Sequence, residues 1–118
     1  MSGEPTLLLV EDDCDSGLEL AELLEVYGFA SSVVATIADA QAVIAADLPD
    51  IAVIDASVGD GAGCALGRAL IDLSGGQTRV VIVSGRMLSE RERVILPESD
   101  TPFLLKPVDI GELLALIR

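Results

Sequence analysis

The chain has 118 residues, 51% of them hydrophobic, and a net charge of −13. That length suits one domain with a real core, with no apolar run near the ~20 residues that span a bilayer and no basic signal-peptide start, so a soluble cytoplasmic protein is expected. The acidity argues against direct nucleic-acid binding and a polybasic membrane patch. The absence of histidine rules out Ser-His-Asp and Cys-His catalysis and His-rich zinc sites, and two cysteines, Cys14 and Cys64, make no disulfide framework.

In chain order, residues 6–10, TLLLV, read as a buried parallel strand ahead of the acidic run Glu11-Asp12-Asp13. Helical spacing then covers Asp13 to Tyr27, with Leu18, Leu20, Leu23, Leu24 and Tyr27 apolar, Glu19, Glu22 and Glu25 polar, and Gly28 closing it. Phe29 to Val34 is a second strand. Residues 36–46 form a second helix with Thr36 as N-cap and Asp39 as a capping-box partner. Pro49 and Asp50 lead into the strand from Ile51 to Asp55, which is followed by a glycine-rich loop, 56–63.

Cys64 to Leu73 reads as a third helix with Leu66, Ala69 and Leu70 inward, ended by Gly75 and Gly76. Thr78 to Val83 is a fourth strand stopping at Ser84-Gly85. Residues 86–97 alternate in charge around few apolar positions and suggest an exposed, salt-bridged helix. Phe103 to Leu105 is a fifth strand, Lys106-Pro107 a turn, and Asp109 caps the last helix, GELLALIR. The alternation βαβαβαβαβα predicts a single (βα)5 α/β domain, a doubly wound five-stranded parallel sheet with helices on both faces.

Asp55 taken alone is an acid that caps a turn after a strand. Its company at the other strand ends changes that reading: Glu11, Asp12 and Asp13 follow strand one, Ser84 strand four and Lys106 strand five. If strands one, three, four and five are neighbours, these groups converge on one crevice at the sheet's switch point. Crowded carboxylates repel unless a cation sits among them, and an all-oxygen site suits Mg2+. A carboxylate is also a nucleophile toward phosphorus. Asp55 is therefore the candidate nucleophile. Asp12, with Glu11 through water, would hold Mg2+, and Lys106 and Ser84 would hold phosphoryl oxygens.

The stretches LLLVEDD (7–13), IAVID (51–55), VVIVSG (80–85) and PFLLKP (102–107) resemble the receiver domains of two-component response regulators, the CheY-like domains of flavodoxin-like topology. The resemblance covers essentially the whole chain, and the separations from Asp55 to Ser84 and from Ser84 to Lys106 suit the family. It implies Asp55 as phosphoacceptor, Asp12 as direct metal ligand with Glu11 its partner, and the backbone carbonyl of Ser57 as a third protein ligand to Mg2+. It further implies Ser84 as the switch hydroxyl and Phe103 as the aromatic that changes rotamer with it. On the residues alone Phe103 is equally a core aromatic. The pattern departs from the family at Gly59, where proline is common, and at Phe103, where tyrosine is more frequent.

The resulting expectation is a receiver over 1–118, with no output domain in this chain, that acts as a regulatory phosphoacceptor rather than an enzyme. A histidine kinase or phosphotransfer protein would donate the phosphoryl group, and a downstream partner or output domain would read the 86–118 face. Two rivals are an unphosphorylated interaction module on the same fold and a Mg2+-dependent phosphatase. The second lacks an acid two residues after the nucleophile, where Ser57 stands, and has no room for a cap domain.

Overall fold

A computed structural model describes residues 3–96 and 101–118. Its elements run β1 (Thr6–Val10), α1 (Cys14–Val26), β2 (Ala30–Val34), α2 (Ile37–Ala46), β3 (Ile51–Asp55), α3 (Val58–Gly61), α4 (Gly63–Ser74), β4 (Arg79–Ser84), α5 (Glu90–Ile95), β5 (Phe103–Leu105) and α6 (Ile110–Ile117). The five strands form one parallel sheet ordered β2-β1-β3-β4-β5. The expected doubly wound α/β architecture is the one found.

Alternation along the strands divides the core in two. Leu8, Val10, Ala52, Ile54, Val80 and Ile82 face Ile44, Leu66 and Leu70 on one side. Leu7, Leu9, Val53, Val81 and Val83 face Leu24, Phe29, Leu113 and Ile117 on the other. Both faces of β1 and β3 are therefore covered, which is why these strands read as unbroken apolar runs. Each fully buried Leu, Ile or Val contributes about 1.5–3 kcal/mol of burial free energy.

Caps set the helix starts. Asp13 accepts from the Ser16 N–H at 3.2 Å, Thr36 from Asp39 at 3.0 Å and Asp109 from Glu112 at 3.0 Å, so each satisfies a donor that its helix leaves unpaired. Asp13 is thus a cap that starts α1 rather than its first residue.

Several sequence expectations are corrected. The inward face of α1 is Gly17, Ala21 and Leu24, whereas Leu18 is 54% exposed and Leu23 and Tyr27 are each 40% exposed. Gly17 lets the helix lie close to the sheet: a Cβ there would come within 3.0 Å of Val33 Cγ1. Ala69 in α4 is exposed. The loop after Asp55 contains the short turn α3, in which Gly59 (φ 62°) and Asp60 (φ 58°) adopt left-handed conformations, and α4 begins at Gly63.

The 86–97 helix is shorter, Glu90–Ile95, and position 97 lies outside the described residues. It is also not wholly exposed: within it Glu92 is only 7% exposed, covered by Arg86 and the Ser89 cap. Among the described residues no helix is long and apolar enough to cross a membrane.

Candidate functional site

The strand order and register bring the strand-end residues together. Val10 pairs with Ile54, so Glu11 emerges beside Asp55. Asp55 pairs with Val83 and Ser84 with Leu105, so Ser84 and then Lys106 follow along the same edge. The chain departs from β1 toward β2 on one side and β3 on the other, and the cluster lies at the carboxyl ends of the strands around that reversal, where open α/β sheets bind ligands.

Lys106 Nζ is the hub. It donates to Asp55 Oδ2 at 2.6 Å and to Glu11 Oε1 and Oε2 at 3.0 and 2.9 Å. The other oxygen of Asp55, Oδ1, accepts from the Ser57 N–H at 2.9 Å and from Ser57 Oγ at 2.8 Å. Asp55 and Glu11 are buried at 3% and 5% exposure, while Asp12 is exposed at the rim.

Two carboxylates share one ammonium in this partly dry site, so they cannot ionise equally. Burial, reinforced by Asp55 alongside, raises Glu11 to about 7 against the opposing pull of Lys106. Burial also works against the Asp55 carboxylate, but hydrogen bonds from Glu11, Lys106 and both donors of Ser57 prevail and hold it down at about 2. Asp55 is therefore the ionised member and Glu11 the one that carries a proton most readily. Burial opposes the charge of Lys106 as well, and its bonds to Asp55 and Glu11 outweigh it to raise its pKa.

Glu11, Asp12 and Asp55 can each present one carboxylate oxygen with all three atoms within 4.8 Å of one another. This hard, all-oxygen donor set fits Mg2+ or Ca2+. The Ser57 carbonyl accepts from the Gly61 N–H at 3.3 Å and keeps a second lone pair.

Ser84, 2% exposed, does not share these bonds: its Oγ accepts from the Arg86 N–H at 3.1 Å. Phe103 is half-buried against the core that contains Leu66, Leu70 and Ile82.

Three contributors escaped the sequence reading. The Ser57 hydroxyl was visible only as a short Asp-x-Ser spacing, which commonly makes a local side-chain turn. Gly63 carries no side chain, yet a Cβ there would stand 2.2 Å from the Asp55 carbonyl oxygen. The buried partner of Arg86, Glu92, looked like one more charge in an alternating run.

The family model for the response regulator receiver domain matches residues 7–118. The regulatory protein VirG of Agrobacterium fabrum is 31% identical over the whole chain, which covers 47% of VirG, so the chain spans about half the length of that curated relative. A receiver domain protein (CheY-like) from Methanospirillum hungatei superposes with a TM-score of 0.84 at 24% identity, covering 96% of this chain and 90% of that one. A response regulator from Burkholderia pseudomallei, solved with a phosphorylated aspartic acid, calcium ion and citrate, gives 0.83 at 22% identity, covering 98% and 67%.

Proposed function

The chain belongs to the response regulator receiver domain family, and on that premise we propose that Asp55 is its phosphoacceptor, charged in the cytoplasm by a histidine kinase or a phosphotransfer protein. Receiver domains are regulatory phosphoacceptor modules of two-component systems rather than conventional enzymes. The observation that carries the reading is the state of Asp55. It is buried, held at one oxygen by Ser57 and at the other by Lys106, and set beside two further carboxylates.

In this reading a carboxylate oxygen of Asp55 attacks phosphorus. The new O–P bond forms as the N–P bond of the donor's phosphohistidine breaks, and its electron pair returns to the imidazole. Ser57 holds the carboxylate in orientation, and Lys106 offers its ammonium to the incoming oxygens. Asp12, Asp55, the Ser57 carbonyl and, through water, Glu11 would hold Mg2+, which when bound neutralises charge on the phosphoryl oxygens. The calcium ion and phosphorylated aspartate in the Burkholderia protein support a divalent cation and an aspartyl phosphate here.

Ser84 then turns its hydroxyl toward the phosphoryl group, Phe103 changes rotamer with it, and a downstream protein or output domain reads the 86–118 face. We assign all of 1–118 to this one receiver domain. The test is intact mass after incubation with acetyl phosphate. A single phosphoryl adduct on wild type, absent without Mg2+ and absent in Asp55→Asn, is the expected result. A folded wild type that takes no adduct would refute the reading and favour an unphosphorylated interaction module.

A further inference from the structure

The segment that follows Ser84 is tied down by a fork. Arg86 Nη1 and Nη2 donate to Glu92 Oε1 and Oε2 at 2.8 and 3.1 Å, and Nη1 also reaches the Met87 carbonyl at 2.9 Å. The Ser89 N–H donates to the same Glu92 Oε1 at 2.8 Å, and Ser89 Oγ accepts from the Glu92 N–H at 3.2 Å, closing a capping box at the start of α5. The two partners are unequally placed: the Arg86 side chain is 56% exposed and that of Glu92 only 9%.

Glu92 is thus a buried acid whose charge is matched by one outside arginine. Planar bidentate pairing is the geometry that best supports such a charge. The carboxyl of Glu92 stands at about 2, lowered chiefly by Arg86, and its charge helps burial push the Cys64 thiol in α4 up to about 11. The pair therefore ties the turn after Ser84 to the first turn of α5.

The same Arg86 provides, through its backbone N–H, the hydrogen bond that Ser84 Oγ accepts. Ser84 Oγ, the backbone of Arg86, the Arg86 guanidinium, Glu92 and the first turn of α5 form one unbroken chain of contacts. A hydroxyl that turns away from Arg86 N–H loses one end of it.

We propose that the Arg86–Glu92 fork is a latch that holds Ser84 and the start of α5 in the unswitched arrangement, so that its strength sets how readily the domain accepts and responds to phosphorylation. This regulation rests on the receiver reading above. Its logic is linkage. A contact made only in the unswitched state lowers the population of the switched one, and its removal favours phosphorylation by the same factor that phosphorylation disfavours the contact.

The test uses the full chain with acetyl phosphate and Mg2+, following adduct formation by intact mass in wild type, Arg86→Met, Glu92→Gln and the double variant. Methionine keeps an apolar stem, and glutamine keeps an acceptor for Ser89 while losing the charge. Each single variant is expected to form adduct about tenfold faster than wild type, and the double variant no faster than either, because both remove one contact. Hydrogen exchange across residues 85–92 of the unphosphorylated protein is expected to quicken in the same variants.

Rates equal to or below wild type in folded Arg86→Met overturn the latch, as does additive behaviour in the double variant. If Glu92→Gln does not fold, Arg86→Met decides, since that side chain lies mostly outside the core. A wild type that accepts phosphate while the variants match it removes the latch alone. A wild type that accepts none removes the receiver reading and the latch with it.

Discussion

Gly63→Ala tests how closely α4 is fitted to the site. The added Cβ would stand 2.2 Å from the Asp55 carbonyl oxygen, 2.7 Å from Ala56 Cα and 2.9 Å from the Asp55 carbonyl carbon. Close C···O contacts run at about 3.3–3.6 Å, so helix and strand end must part by about 1 Å. All three obstructing atoms are backbone, with no flexible side chain to give way. Overpacking of this kind costs about 1–3 kcal/mol, and the absence of any relief places this case near 3 kcal/mol. For a domain of this size that is a fall in Tm of about 10 °C.

The control is Gly28→Ala. Gly28 has φ +96° and nothing within 4 Å of a built Cβ, so only backbone strain of about 1–2 kcal/mol applies. Moving the Asp55 backbone also misplaces its carboxylate, and a 1 Å error at a reacting group costs up to about 100-fold in rate. Thermal melts and the acetyl phosphate assay on both variants decide the matter. A Gly63→Ala protein melting within about 2 °C of wild type, or Gly28→Ala proving the more damaged, would refute the packing argument.

Other outcomes follow from the charges. Because Glu11 is raised to about 7, a divalent cation must displace its proton; Mg2+ is expected to bind several-fold tighter at pH 8 than at pH 6 with proton release in calorimetry, and a pH-independent affinity would count against it. In the metal-free protein the folded state holds that proton between the ordinary value of 4.5 and about 7 while the unfolded chain does not. Unfolding free energy from denaturant titration should therefore fall as pH rises through that window. Lys106→Met removes the cation that competes with Mg2+ beside Glu11 and Asp55, so tighter Mg2+ binding is expected and weaker binding would contradict it. Glu92, lowered from 4.5 to about 2 by Arg86, stabilises fully above 4.5 and loses that contribution as pH falls toward 2; acid titration of Glu92→Gln should show a flatter decline there than wild type.

The sequence by itself determined the five strands and their parallel, doubly covered sheet, but neither the short turn α3 nor the extent of α5. Apolar runs such as LLLV and IAVI can only be covered on both faces, and Thr36 and Asp109 announce their helices by capping them. Strand-end position picked out Glu11, Asp12, Asp55, Ser84 and Lys106, because the ends of parallel strands must share an edge once the strands are neighbours. Tertiary structure alone decided what those residues touch. The Asp55–Lys106–Glu11 bonds join residues far apart in the chain, and the inward side of α1 proved to be Gly17, Ala21 and Leu24, with Gly17 fitted closely to Val33, while Leu18 and Leu23 stay exposed. Glu92 shows the limit most clearly. In a charged run every acid looks solvated, and burial of this one follows from a partner six residues earlier, held there by the turn after Ser84. Periodicity reports which residues avoid water, but pairing that offsets the burial of a charge depends on distances that only the folded chain sets.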